Sequence, residues 1–261
     1  MTSFATSPDG IRIAYETAGQ GDPVLLIHGF GSSRAQNWRA TGWYELLANA
    51  GFRLVAMDCR GHGDSDKPHD PRLYSYALMA RDALSVLNAC GLEQADVIGY
   101  SMGGHLGIEL LMNHAQVLRR MVVAGVGETY LRAPFDHRFA VADAITDVDA
   151  SRITDPLQKM FRAFAHQPGK DPVALAACMR GERRVYSSHE LARATRPVLV
   201  VCGENDTISG PPGPLAAVIP HARALVVPGR DHMSSVGDKQ TRKAALDFLS
   251  ADYSVTPGEP Q

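Results

Sequence analysis

Ser101, His232 and Asp206 are the residues of this 261-residue chain whose types and settings suit nucleophilic catalysis. A serine hydroxyl attacks poorly at neutral pH unless a base takes its proton. Ser101 lies in Gly99-Tyr100-Ser101-Met102-Gly103-Gly104, with small residues two positions to either side. Such spacing lets a serine stand at a sharp strand-to-helix turn, where backbones approach closely and its oxygen is left exposed. His232, in Pro228-Gly229-Arg230-Asp231-His232-Met233, is the candidate base among ten histidines. An imidazole doing this work needs an acid to fix its tautomer and stabilise its charged form. Asp206, in Gly203-Glu204-Asn205-Asp206, fits that need. Glu204 and Asp231 are rivals, the first nearer a strand end and the second next to the histidine, where side chains diverge. Acyl transfer also builds a negative oxygen that needs donors. The backbone N–H of Met102 is one, and that of Phe30, after His28-Gly29, is expected to be the second.

These residues must be held by elements that the pattern of apolar residues predicts. Phe4 to Tyr15 reads as a hairpin turning at Ser7-Pro8-Asp9-Gly10. Val24–Ile27, Leu54–Met57, Ala95–Ile98, Met121–Ala124, Pro197–Cys202 and Ala224–Val227 are short apolar runs, as expected of strands buried on both faces. Helical spacing is expected around Trp38 to Ala50, Tyr76 to Leu92, His105 to Met112, Pro214 to Ile219 and Lys239 to Leu249. Residues 128–194 lack strand signals and hold four short helical stretches, the first at Phe135 to Ala144.

Strand–helix alternation predicts an α/β fold: a mostly parallel central sheet covered by helices on both faces. A small helical lid is inserted before the last two strands. Residues 1–127 and 195–249 then form the core, 128–194 the lid and 250–261 a polar tail. In such sheets ligands bind beyond the carboxyl ends of the strands. Every suspect residue follows one of those ends.

Composition narrows the partners. Net charge is −2, which gives no reason to expect nucleic acid. No apolar run approaches the roughly 20 residues of a membrane span, and no signal peptide is read near Met1. The four cysteines are scattered without a Cys-x-x-Cys pair, so a reduced, cytoplasmic protein is expected. No metal-ligand cluster is evident. Gly29-Phe30-Gly31-Ser32-Ser33-Arg34 half-matches a dinucleotide fingerprint, but Arg34 stands where the third glycine belongs. No cofactor is expected.

Taken together, His28-Gly29-Phe30-Gly31, Asp58-Cys59-Arg60-Gly61-His62-Gly63-Asp64-Ser65, the Ser101 motif, Gly203-Glu204-Asn205-Asp206 and Gly229-Arg230-Asp231-His232 resemble the α/β-hydrolase fold family. They follow the family's order and cover all but the lid and tail. The resemblance implies Ser101 as nucleophile, His232 as base, Asp206 as acid, and Phe30 and Met102 as oxyanion donors. It also implies that Arg60, Gly61 and His62 build a structural turn. Serine at 101 argues against the aspartate-nucleophile members, the haloalkane dehalogenases and epoxide hydrolases.

The expected activity is hydrolysis of a small to medium apolar ester or lactone by a serine carboxylesterase acting on a small-molecule substrate. Hydrolysis of a carbon–carbon bond in diketone-like compounds uses the same residues and is the alternative. A small-molecule receptor with little turnover is the reading from a different class. Trp38, Tyr130, Phe135, Phe139 and Phe161 are the expected substrate-binding aromatics, with Phe164 and Trp43 nearby in kind. The sequence names neither the substrate nor an oligomeric state.

Overall fold

The computed structural model describes residues 1–132 and 137–251. Among the described residues eight strands form one sheet: β1 (Ser3–Thr6), β2 (Arg12–Ala18), β3 (Asp22–Ile27), β4 (Phe52–Met57), β5 (Ala95–Tyr100), β6 (Leu118–Ala124), β7 (Val198–Gly203) and β8 (Ala222–Val227). Their order is β1-β2-β4-β3-β5-β6-β7-β8. β2 runs antiparallel to both its neighbours, and the strands from β4 across to β8 are parallel.

The continuous apolar runs have a simple cause. Successive side chains of a strand point to opposite faces, so a strand covered on both faces needs apolar residues at every position. In β3, Leu25 and Ile27 join the core beneath helices α2 (Tyr76–Ala89) and α3 (Met102–Asn113). Val24 and Leu26 join the opposite core with Trp43 and Leu47 of α1 (Trp43–Asn49) and Phe248 of α9 (Lys239–Ser250). Trp38 belongs to that second core, fully buried and edge-to-face on Trp43 at 5.6 Å. It therefore does not reach the ligand side expected of it.

The single helix expected around Trp38 to Ala50 is two pieces. A π-helical turn at Ala35–Arg39 is followed by Gly42, whose φ of 79° lies in the left-handed region, and only then by α1. That conformation cannot continue a right-handed helix.

Between β6 and β7 the chain forms α4 (His137–Thr146), α5 (Pro156–Ala165), α6 (Pro172–Arg180) and α7 (Ser188–Leu191). Asp155 and Asp171 cap α5 and α6 through hydrogen bonds to backbone N–H groups, and a proline follows each cap. These helices share a separate small core of Val141, Ile145, Ala165, Leu175 and Met179, against which Phe30 and Phe161 pack. α8 (Gly213–Val218) follows β7. No helix among the described residues is long and apolar enough to cross a membrane.

Candidate active site

Ser101 follows β5 directly and caps α3 with φ 52° and ψ −112°. A non-glycine residue at positive φ is strained, and the surroundings enforce it. A Cβ on Gly99 would lie 2.1 Å from the Gly103 carbonyl oxygen, and one on Gly103 would lie 2.0 Å from that of Ile27. The glycines of the motif thus let β5, α3 and the end of β3 close on one another around the serine.

His232 and Asp206 come from the loops after β8 and β7. The Ser101 hydroxyl is 3.0 Å from His232 Nε2, and His232 Nδ1 is 2.9 Å from Asp206 Oδ2. Asp206 is 3% exposed. Burial works to raise its pKa, but the hydrogen bond and charge of His232, with the Ser209 N–H, hold the carboxyl below its ordinary value. Its Oδ1 accepts from the N–H groups of Ile208 (3.1 Å) and Ser209 (2.9 Å). The rivals are engaged elsewhere. Glu204 accepts from the Gly229 N–H at 2.8 Å, and Asp231 accepts from Ser234.

The loop after β3 lies against the serine: a Cβ on Gly29 would stand 3.4 Å from that of Ser101. The Gly29 N–H is tied to Asn37 Oδ1 at 3.1 Å, which fixes the loop that carries Phe30. Met102 opens α3, where a backbone N–H has no acceptor within its own helix.

Around this point lies a cavity of about 760 Å³. Phe30, Met102, Tyr130, Phe161 and Phe164 line it. Phe139 does not; it is 47% exposed beneath the Arg138 guanidinium, so the outer face of α4 carries it. Phe135 lies outside the described residues.

Several lining residues carried no signal that sequence reasoning used. Tyr100 is half hidden in the motif itself; its hydroxyl donates to the His232 carbonyl and meets Ser235 Oγ at 2.8 Å. His105 is held between the rings of Tyr76 and Tyr130, at 5.7 and 5.4 Å. Burial first, then the Arg183 charge, lowers its pKa to about 3. Tyr76 and Arg183 also line the cavity, with the Arg183 guanidinium 5.3 Å from the centre of the Tyr76 ring. A search for buried polar residues within otherwise apolar helices could have drawn out His105.

The Arg60 side chain is engaged away from this site, while His62 of the same turn packs edge-on against Phe30 at 5.7 Å. Arg60 is fully buried and donates Nε and Nη2 to Asp82 at 2.7 and 2.6 Å, with Asp9 on its other edge. His28 and His62 are buried, their pKa values lowered by burial to about 4 and 3.

A family model described as the alpha/beta hydrolase family matches residues 24–242, and the chain belongs to that family. It is 36% identical over 116 residues to the 2-hydroxymuconate semialdehyde hydrolase of Pseudomonas putida, a stretch covering 44% of this chain and 40% of that enzyme. In structure it is similar to a hydrolase from Pseudomonas aeruginosa PA01, with TM-score 0.79, 26% identity, and 96% and 98% of the two chains covered. It is also similar to a thermophilic esterase from Thermogutta terrifontis, with TM-score 0.76, 25% identity, and coverage of 95% and 98%.

Proposed function

We propose that this chain is a serine hydrolase that cleaves small to medium apolar carboxylic esters or lactones through an acyl-enzyme on Ser101. The observation that carries the reading is the continuous hydrogen-bonded line from Ser101 through His232 to Asp206, at 3.0 and 2.9 Å, opening on a largely apolar cavity. Ser101 Oγ attacks the ester carbonyl as its proton passes to His232 Nε2. The oxygen that becomes negative accepts from the N–H groups of Phe30 and Met102. Asp206 stabilises the imidazolium, which returns its proton to the departing alcohol. Water then repeats the sequence on the acyl-enzyme and frees the acid.

In this reading residues 128–194 act as a lid. Tyr130, Phe161 and Phe164 favour apolar acyl or alcohol groups, since each buried CH₂ contributes about 0.8 kcal/mol. The similarity to an esterase structure supports ester chemistry. The test is kcat/KM for p-nitrophenyl esters from acetate to palmitate. Specificity should rise over the first few carbons and then fall as the chain meets the lid. A maximum at palmitate would defeat the closed-pocket reading.

One observation favours carbon–carbon bond hydrolysis as a second reading. Arg183 brings a cation to the cavity wall, over the Tyr76 ring, where it suits an acid group on the substrate. The Pseudomonas putida relative is named a 2-hydroxymuconate semialdehyde hydrolase. Cleavage of an acid-bearing diketone with no hydrolysis of any ester would put this reading first.

A further inference from the structure

We propose that Ser209 is a positioning residue for His232, a second acceptor that shares the Nδ1 proton with Asp206 and fixes where that proton sits. The inference rests on His232 acting as the base for Ser101.

Ser209 is 2% exposed, and its hydroxyl stands among the Gly125 carbonyl, the His232 ring and the Asp206 carboxylate. Oγ is 2.7 Å from the Gly125 carbonyl oxygen and 3.1 Å from His232 Nδ1. A carbonyl can only accept, and a hydroxyl has one proton to give. Both the Gly125 carbonyl and the Asp206 carboxylate can take that proton and neither can give one, so Oγ has only lone pairs to offer Nδ1. Nδ1 must then carry the hydrogen, which leaves Nε2 bare toward Ser101 at 3.0 Å. This is the tautomer that can take the serine's proton.

The same residue also turns the acid. Its N–H donates to Asp206 Oδ1 at 2.9 Å, which leaves Oδ2 free to face the imidazole. Gly125 is itself fixed: its N–H donates to Val201 at 2.8 Å, and its φ is 65°. A Cβ there would lie 3.3 Å from His232 Cε1, so the backbone passes directly beneath the ring. Ser209 thus ties together the loops after β6, β7 and β8.

The other polar groups around the imidazole are occupied. The Tyr100 hydroxyl holds the His232 carbonyl and meets Ser235, Asp231 accepts from Ser234, and His105 is held between Tyr76 and Tyr130. With two acceptors on Nδ1, the tasks divide. Asp206 supplies negative charge and part of the orientation, whereas Ser209 supplies orientation without charge. Loss of Asp206 alone should therefore leave the tautomer in place.

The test compares Ser209→Ala, Ser209→Thr, Ser209→Val, Asp206→Ala and the Asp206→Ala/Ser209→Ala double variant. Turnover of p-nitrophenyl butyrate is measured alongside ¹⁵N NMR of the neutral His232 ring in histidine-labelled protein. Ser209→Ala should lower kcat about tenfold with KM within about twofold, and Ser209→Thr should restore most of it. The Thr and Val variants differ only in hydroxyl against methyl, so they decide the matter if the alanine variant does not fold. The ¹⁵N shifts should place the proton on Nδ1 in wild type and in Asp206→Ala, and show mixed tautomers only in the double variant. Mixed tautomers already in Asp206→Ala, with no change on adding Ser209→Ala, overturn the proposal. So does a Ser209→Ala protein with wild-type kcat. If Ser101→Ala keeps its activity, the hydrolase reading fails instead; the spectra, which need no turnover, still report on Ser209.

Discussion

The hydroxyl of Tyr100 donates to the backbone carbonyl of His232, so the residue before the proposed nucleophile holds the residue proposed as its base. With its proton given to that carbonyl, the phenol oxygen can only accept from Ser235, 2.8 Å away. The ring lies 5.7 Å from the imidazole. Tyr100→Phe keeps the ring and leaves a buried carbonyl and a serine unpartnered. It should lower stability by about 1–2 kcal/mol and kcat by roughly tenfold, because the loop carrying His232 loses its anchor. Thermal unfolding and steady-state kinetics on the same preparation check both.

Ser101→Ala should remove turnover at least about a thousandfold while leaving the protein folded, with a residual rate from the oxyanion donors and binding. Because Ser101 sits at φ 52°, Ser101→Gly should lose activity equally yet gain about 1 kcal/mol of stability. Retention of more than a tenth of wild-type activity by the alanine variant would sink the serine mechanism. Equal melting temperatures for the Ala and Gly variants would deny the strain.

Asp206→Asn should reduce the rate by roughly 10⁴-fold if the amide presents its NH₂ to the imidazole and forces the other tautomer. Glu204→Gln and Asp231→Asn should fall far short of that, since their carboxylates hold Gly229 and Ser234 rather than His232. A comparison of kcat across the three variants decides the assignment.

Asp96, in β5 away from the site, gives a prediction about pH. It is fully buried, with Arg120 Nη1 3.6 Å away. Burial raises its pKa to about 6, against the opposing charges of Arg120 and Arg119. An acid whose pKa is higher in the folded state than in the unfolded one is a burden only when ionised. The burden is absent below about pH 4, grows toward pH 6 and is full above it. Asp96→Asn should therefore stabilise the fold on the order of 2 kcal/mol at pH 8 and hardly at all at pH 4. Melting temperatures at the two pH values read this directly.

Most of the sheet was legible in the sequence because a doubly covered strand leaves a plain mark, an apolar run closed by glycine or a polar turn. Ser101, Asp206 and His232 could be singled out because each lies just past such a run, Ser101 directly and the other two in the loops that follow. The aromatic residues were not sorted correctly. A core and a ligand cavity are both apolar, so Trp38, which packs on Trp43, and Phe139, which faces solvent, carry the same sequence signal as Phe161. Ser209 and Tyr100 were missed for a different reason. Their roles depend on contacts with residues 84 and 132 positions away, and no local pattern records such a partner.

His232 follows β8, a strand at one edge of the sheet. β8 pairs with β7 alone, and Val226 at its end is 46% exposed. Ser101 follows β5, a strand with partners on both sides, so nucleophile and base stand on ground of unequal firmness. Gentle heating or dilute denaturant should peel the margin before it dissolves the interior. The protein would then fall silent while its circular dichroism still looked whole. Any preparation judged sound by its spectrum alone could thus be inactive.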